Sequence, residues 1–448
     1  GANLADNNEI LVDGIVPIEY PTGNILTIGA PVVSGYWNLS NTGIEVILPV
    51  TGSDLSLDGG TAHLEARMNA NDFETVGGNE DVGTNPVTLS LIRSDIEGIS
   101  GYGAGGTIQV RGVMTDIADN STQFGTSSVD LISDQTAPTA PVTGDLTVSG
   151  GNEYPGYWND TNTSLVVSIP LDADNTLVDG TIQLEADLNS ASSFAVIGDD
   201  STISSVSANH DITLSATDLT NYGAGDGDVI TMRAIVTDVA GNETTGTIGL
   251  NNLTVDYTFP GDFTVGLVTS VDNSVVAGYF NSTNTGAEVT VPLAADATLV
   301  GGQIQLRATV GAFAAEDILA PYVITTIEDV VMSVDRTDLE ALTFYAEDRT
   351  ITFDAILTDV AGNATVGSFS LDELIIDQTT PTVFTIDTNI PDGGTIREGY
   401  WNASNTDVEI TVPIDGTDLT IIGGGTLTAS ADILGDGNFE TFTVEETI

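Results

Sequence analysis

Three loops of this chain gather side-chain oxygens at one spacing. Residues 115–120 read TDIADN, and residues 237–242 and 358–363 both read TDVAGN. An acid opens each turn (Asp116, Asp238, Asp359) and an amide closes it (Asn120, Asn242, Asn363). Fourteen residues beyond each amide stands another acid, Asp134, Asp256 or Asp377, four residues ahead of a proline, as Asp13 is ahead of Pro17. Carboxylates, amide oxygens and turn carbonyls are the donor set of a hard cation, and Ca2+ takes six to eight oxygens at about 2.3–2.6 Å. The same residues favour turns for a plainer reason, since Asp and Asn side chains bond their own backbone. Both readings are open at this stage. No stretch follows the EF-hand pattern, and acidic segments such as 172–180 (DADNTLVDG) read as solvated turns.

Loops that recur need a scaffold that recurs, and the spacing shows one. The phrase GYWN or GYFN begins at Gly35, Gly156, Gly278 and Gly399, with intervals of 121, 122 and 121 residues. The linker acids Asp13, Asp134, Asp256 and Asp377 repeat at the same intervals. A period near 120 residues is the size of a whole domain rather than of a solenoid unit. Within one period the segments are short, alternate in polarity and are rich in Val, Ile and Thr, as in IEVILPV, TAHLEARM and TIQVRGVMTD, with Gly, Asn and Asp between them. No sustained 3.6-residue apolar period appears, so the chain reads as all-β, with roughly seven strands per domain and the layout of a β-sandwich. The expected divisions are residues 1–16, the C-terminal strand of a preceding partial repeat; domains at 17–137, 138–259 and 260–380; and a partial fourth domain at 381–448. Prolines 138, 260 and 381 hold their linkers extended.

The chain has 65 acidic residues and only 8 basic ones, all arginine, for a formal net charge of -57. Such a surface repels nucleic acid and anionic lipid and favours cations, and its self-repulsion calls for salt or bound metal. With no cysteine and no lysine, disulfides and Lys-Asn isopeptide crosslinks are both impossible. No apolar run reaches the length of a bilayer span and the first twenty residues lack the pattern of a signal peptide, so membrane insertion is not expected. The chain does not begin with Met, and residues 1–34 together with 399–448 leave part of a period unfilled. A segment of a longer repetitive protein is expected, in preference to strand exchange between chains.

The pairing of TDxAGN with a DxTxP linker resembles the tandem bacterial Ig-like domains of giant repetitive cell-surface adhesins. That resemblance spans every copy and implies Ig-like Greek-key sandwiches of about 121 residues each in an extracellular, cell-surface protein. It further implies structural Ca2+ at the boundaries, with Asp13, Asp134, Asp256 and Asp377 of the linkers and Asp116, Asp238 and Asp359 of the loops as ligands. Asn120, Asn242 and Asn363 are the weaker candidates. Two linkers, DGIVP and DYTFP, depart from DxTAP, and the first loop carries Asp119 where the others carry Gly241 and Gly362.

Enzyme chemistry finds little support. His63 and His210 are the only histidines, occupy unrelated positions, and have no Ser or Cys motif beside them. Segments 101–106 and 221–228 are Gly-rich but lack the lysine and following helix of a phosphate loop. The Asn-x-Ser/Thr triplets at Asn38, Asn159, Asn281 and Asn402 read as incidental to polar turns, although such triplets can carry glycans. The sequence therefore predicts a non-enzymatic, calcium-stiffened rod that spaces or links extracellular structures. Its partners would be neighbouring repeats of one longer chain, other copies in a filament, sheath or surface layer, and host or matrix glycans and proteins bound by parts outside this segment. A carbohydrate-binding array, with Tyr36 and Trp37 as sugar platforms, is the further alternative. In the repeated phrase Tyr and Trp must face opposite ways, and because Phe280 replaces Trp once, the indole N–H is expected to be dispensable.

Overall fold

The computed structural model describes residues 12–19, 22–23, 25–49, 57, 59–82, 86–127, 129–249, 251–272, 275–386, 388–414 and 425–447. Alternation governs it. Along Thr61–Met68, residues Ala62, Leu64, Ala66 and Met68 are buried and their neighbours are not, which is the period-two signature of a strand with one face on a core. In the first sandwich the strands are β1 (Ile25–Ile28), β2 (Tyr36–Trp37), β3 (Gly43–Leu48), β4 (Thr61–Met68), β5 (Glu74–Asp81), β6 (Val87–Ile92), β7 (Thr107–Thr115), β8 (Ser121–Thr126) and β9 (Leu131–Ser133). One sheet has the order β1-β3-β6. The facing sheet has the order β2-β9-β7-β4-β5, with β8 beside β7. Neighbours are antiparallel except β2 and β9, which run parallel with Tyr36 opposite Ile132 and Trp37 opposite Ser133. Strands adjacent in space but distant in sequence make this a Greek-key, Ig-like sandwich.

Ranges 146–255 and 268–377 repeat that order, and each sandwich has its own core, around Trp37, Trp158 and Phe280. The all-β tandem architecture expected from the sequence is thus present. The chain divides into two compact units, Gly1–Tyr257, with the first two sandwiches, and Thr258–Ile448, with the third and the partial fourth. Among the described residues of 381–448, Thr388–Asp392 pairs with Asp407–Thr411 and Thr426–Ala431 with Glu440–Thr447, both antiparallel. The strand expected within residues 1–16 falls mostly on residues 1–11, outside those described.

The repeated phrase earns its burial from pairing. Trp37, Trp158 and Phe280 are at most 2% exposed, each on a short strand alongside the last strand of its domain. Trp401 is 58% exposed, and among the described residues no strand runs beside it. A short helix, α1 (Arg93–Glu97), follows β6 and has counterparts in α2 (Ala216–Tyr222) and α3 (Arg336–Glu340).

Candidate interdomain joint

The asparagine phrase builds a self-contained turn. Asn38 N–H donates to Asn41 Oδ1 at 2.7 Å, while Asn38 Oδ1 accepts from Ser40 N–H (3.1 Å), Ser40 Oγ–H (2.8 Å) and Asn41 N–H (3.2 Å). Asn159 with Asn162, Asn281 with Asn284 and Asn402 with Asn405 repeat the first of these bonds at 2.7–2.8 Å, and Thr161, Thr283 and Ser404 supply the hydroxyl. The Asn-x-Ser/Thr triplet is therefore a local hydrogen-bonding unit. Asn38 and Asn159 are fully buried, so their amides are not presented as glycan acceptors.

Arginine holds the turn from behind. The Arg93 guanidinium lies 5.3 Å from the Trp37 ring centroid and donates to the carbonyls of Leu39 (2.6 Å) and Asn41 and to Gln135 Oε1 (2.8 Å). Arg336 does the same work in the third sandwich, over Phe280 at 4.9 Å and bonded to Asn281 O, Asn284 O and Gln378 Oε1. Neither arginine was singled out by the sequence reading, although both open the short helix two residues before an Asp.

The oxygen-rich loop is equally self-contained. Asp238 Oδ1 accepts from Ala240 N–H (2.9 Å) and Asn242 N–H (2.8 Å), and Asp238 Oδ2 accepts from Asn242 Nδ2 (2.9 Å). Asp116 and Asp359 make the equivalent three bonds at 2.8–3.0 Å. Burial pushes the Asp238 carboxyl up, the Asn242 and Ala240 donors pull it down, and the charge of Asp134 adds to the rise, leaving it above the usual Asp range. Burial likewise holds Asp359 above that range, against the pull of its Asn363 and Ala361 donors. Burial also pushes Asp116 upward, but its bonds from Asn120 and Ala118 outweigh that and leave it below the usual range.

Turn and loop meet between the first and second sandwiches, inside one compact unit. Asn38 Nδ2 donates to Ala240 O at 2.8 Å, and Leu39 N–H donates to Asn242 Oδ1 at 2.9 Å. Asn242 Nδ2 also reaches Asp134 O, at 3.2 Å. Asn242 thus spends both its amide hydrogens and its oxygen. Asp134 N–H donates to Trp37 O at 2.9 Å, and Gln135 Nε2 donates to that same carbonyl at 2.8 Å, so the linker is bonded to the phrase it leaves and to the loop it approaches. All three repeated markers converge here, with the linker acid beside the loop of the following sandwich.

The remaining candidates hold related places. Asp13 O accepts from Asn120 Nδ2 at 3.4 Å, and its Oδ1 accepts from Ile15 N–H at 3.0 Å. Thr122 Oγ1 donates to Pro17 O and Thr365 Oγ1 to Pro260 O, both at 2.6 Å, so these loops also grip the linker entering their own sandwich. Asp256 is 7% exposed and its N–H donates to Trp158 O at 2.9 Å. Asp377 ends its strand opposite Asn281. Beside Asp377 the sequence reading missed Glu347, whose carboxylate accepts from Gln378 and Thr379 N–H at 2.9–3.1 Å; burial raises it, and these donors bring it below its ordinary range.

These contacts bear on the cation expected at the boundary. In the loops the Asp oxygens are occupied by three N–H donors, and each Asn turns its NH2 toward the acids. At the first joint that NH2 lies between Asp238 Oδ2 and Asp134 O, where a ligand set would need a cation, and the Asn242 oxygen faces away to Leu39. No group of three or more His, Cys, Asp or Glu side chains suited to a metal occurs among the described residues. The loop acids and amides, Asp116, Asp238, Asp359, Asn120, Asn242 and Asn363, therefore do not fit Ca2+ as arranged. In each loop the Asp carboxylate closes the turn by accepting from two backbone N–H groups and from the Asn amide.

Other expectations also change. Trp37 and Trp158 lie in cores and offer no sugar platform, and only Tyr36 lines the cleft between the first two sandwiches, with Ile132, Asp134 and Thr176. The indole N–H is not idle: Trp37 Nε1 donates to Tyr102 Oη at 3.0 Å, while Tyr345 Oη, in the sandwich that has Phe280, is buried with no hydrogen-bond partner among the described residues. Burial, with the charge of Glu340, pushes the Tyr345 phenol up to about 12. His210 does have a serine neighbour, Ser201 Oγ at 2.7 Å on the preceding strand of the facing sheet, but no hydrogen bond orients its other ring nitrogen among the described residues. That pair lacks the third group of a catalytic set.

No protein-family model matches the chain, and no curated protein matches it. Among solved structures it is similar to the chicken CNTN1 FN1-FN3 domains, at 10% identity and a TM-score of 0.30, over 80% of this chain and 99% of that one. It is also similar to a marsupial T cell receptor, at 11% identity and a TM-score of 0.27, over 72% of this chain and 95% of that one. Likenesses at this level assign neither family nor ligand.

Proposed function

We propose that this chain is a non-enzymatic spacer of Ig-like sandwiches, of the kind its repeats resemble in bacterial surface adhesins, which holds or links extracellular structures at a set distance. The observation that carries the reading is the asparagine joint. Asn38 and Asn242 reach across the boundary with charge-free hydrogen bonds, one buried and one part-buried, so bending there breaks a buried bond that water cannot readily replace. A domain string built only for tethering would need no such contacts. The charge of -57 keeps neighbouring chains apart and assigns cations the role of counter-ions. No helix among the described residues is long and apolar enough to cross a membrane.

Force spectroscopy on the full chain tests the mechanical role. A resistance to bending or extension at the first boundary that is lost in Asn38→Ala supports it. An unchanged force response removes it. Electron micrographs of native material that show a regular lattice of chains would move the reading to the filament or surface-layer alternative.

A further inference from the structure

Position 241 lies at the contact between the first two sandwiches. Gly241 has φ +86°, and a Cβ built there would stand 2.8 Å from Val33 Cγ2, 3.1 Å from Pro31 Cγ and 3.4 Å from Asn38 Nδ2, all of them atoms of the preceding sandwich. The loop itself does not need glycine. In the first sandwich the same place is taken by Asp119 at φ +69°, and the three bonds to the loop acid form at the same lengths. Glycine at 241 therefore serves the contact and not the turn. At the contact Ala240 is fully buried and Asn242 is 3% exposed.

We infer that this position decides whether a sandwich docks its predecessor: glycine admits the asparagine turn of the preceding repeat, and aspartate bars it. An Asp side chain at 241 would extend a carboxylate past the Cβ position into Val33 and Pro31, while leaving the loop intact. By this rule Gly241 locks the boundary between the first and second sandwiches, and an Asp in its place would unlock it. The stiffness of a repeat string is then written residue by residue in its loops. This rests on the spacer reading only for its use; the docking rule concerns the contact itself.

The chain has no cysteine, so a pair of introduced thiols labels it cleanly. Thr88 and Thr213 are exposed strand residues in the first and second sandwiches, and spin labels on Thr88→Cys and Thr213→Cys report their separation by pulsed electron resonance. The parent and Val239→Ile should give one narrow distance distribution. Gly241→Asp, which with Val239→Ile rebuilds the first loop in the second sandwich, should at least double its width. Gly241→Ala, which adds only the Cβ, should broaden it less. Circular dichroism confirms that each variant is folded, and the alanine variant decides the matter if the aspartate variant is not. A distribution unchanged in either folded variant overturns the docking rule. If the rule holds and the force response of Asn38→Ala is unaltered, the spacer reading fails while the docking rule stands.

Discussion

The loops at 115–120 and 237–242 are the same object in two surroundings. Their internal hydrogen bonds agree to about a tenth of an ångström, yet Asp116 is held below the ordinary carboxylate range and Asp238 above it. The donors are alike, so the difference comes from what lies outside the loop. Docking the preceding sandwich deepens the burial of the Asp238 carboxyl and brings Asp134 near. The turn is a property of the six residues; the joint is a property of two repeats and of the glycine between them.

Removing the acid should separate these two roles most sharply. Asp238→Ala leaves Ala240 N–H, Asn242 N–H and one Asn242 amide hydrogen without their acceptor in a buried site. At about 1–3 kcal/mol for a buried donor left unpaired, with relaxation recovering part, the second sandwich should lose about 2–4 kcal/mol in denaturant unfolding. Asp116→Ala in the open loop should cost distinctly less, because water reaches its freed donors. Equal losses would mean that docking adds nothing to the loop.

The aromatic at the heart of each phrase offers the next largest effect. Trp37→Phe deprives Tyr102 Oη of its donor and should destabilise the first sandwich by about 1–3 kcal/mol. Phe280→Trp supplies the missing donor to Tyr345 and should stabilise the third by up to about 1 kcal/mol, provided the indole fits the core. Melting curves of both variants check the pair, and a stabilised Trp37→Phe would contradict it.

Acidity should act in opposite senses on the two loops. Asp238 and Asp359 hold protons in the folded state where the unfolded chain has released them, so their contribution to stability falls as pH rises through their folded values and is recovered on acidification from neutral. Asp116 is the reverse: its contribution is complete above the ordinary Asp range and is lost as pH falls through its depressed value. The backbone amides of Asn242 and Asn120 report each titration by nuclear magnetic resonance, with midpoints expected on either side of the ordinary Asp value. A shared midpoint would cancel the comparison.

Much of this was legible in the sequence because repetition prints it. The 121-residue period marks the turn, the loop and the linker, and alternation in TAHLEARM marks a strand with one buried face. The meeting of turn and loop was not legible, since Asn38 and Ala240 lie 202 residues apart and the acceptor is a backbone carbonyl that leaves no trace in residue identity. The direction of the Asn242 amide was hidden for a related reason. An asparagine brings an oxygen and an NH2 together, and only the neighbours Leu39 N–H and Asp134 O decide which faces the acids. Asp119 was visible as a departure from the motif, but what an Asp would meet at that place is shown only at Gly241, where Val33 and Pro31 stand across the boundary.

Calcium should have the smallest effect, and it bears on the comparison most directly. If the boundary were a metal site, the docked loop would gain from Ca2+ and the open loop would not, and EDTA would abolish the difference. In the hydrogen-bonded joint the Asn242 NH2 already lies between Asp238 and Asp134, and a cation could enter only by rotating that amide and breaking the bond to Leu39. The expected result is therefore coincident melting curves in CaCl2 and in EDTA when ionic strength is matched with NaCl. Raising NaCl alone should stabilise the chain by screening its charge of -57. A calcium-dependent rise confined to the second sandwich would show that the amide does rotate and that the metal, not the asparagine, locks the joint.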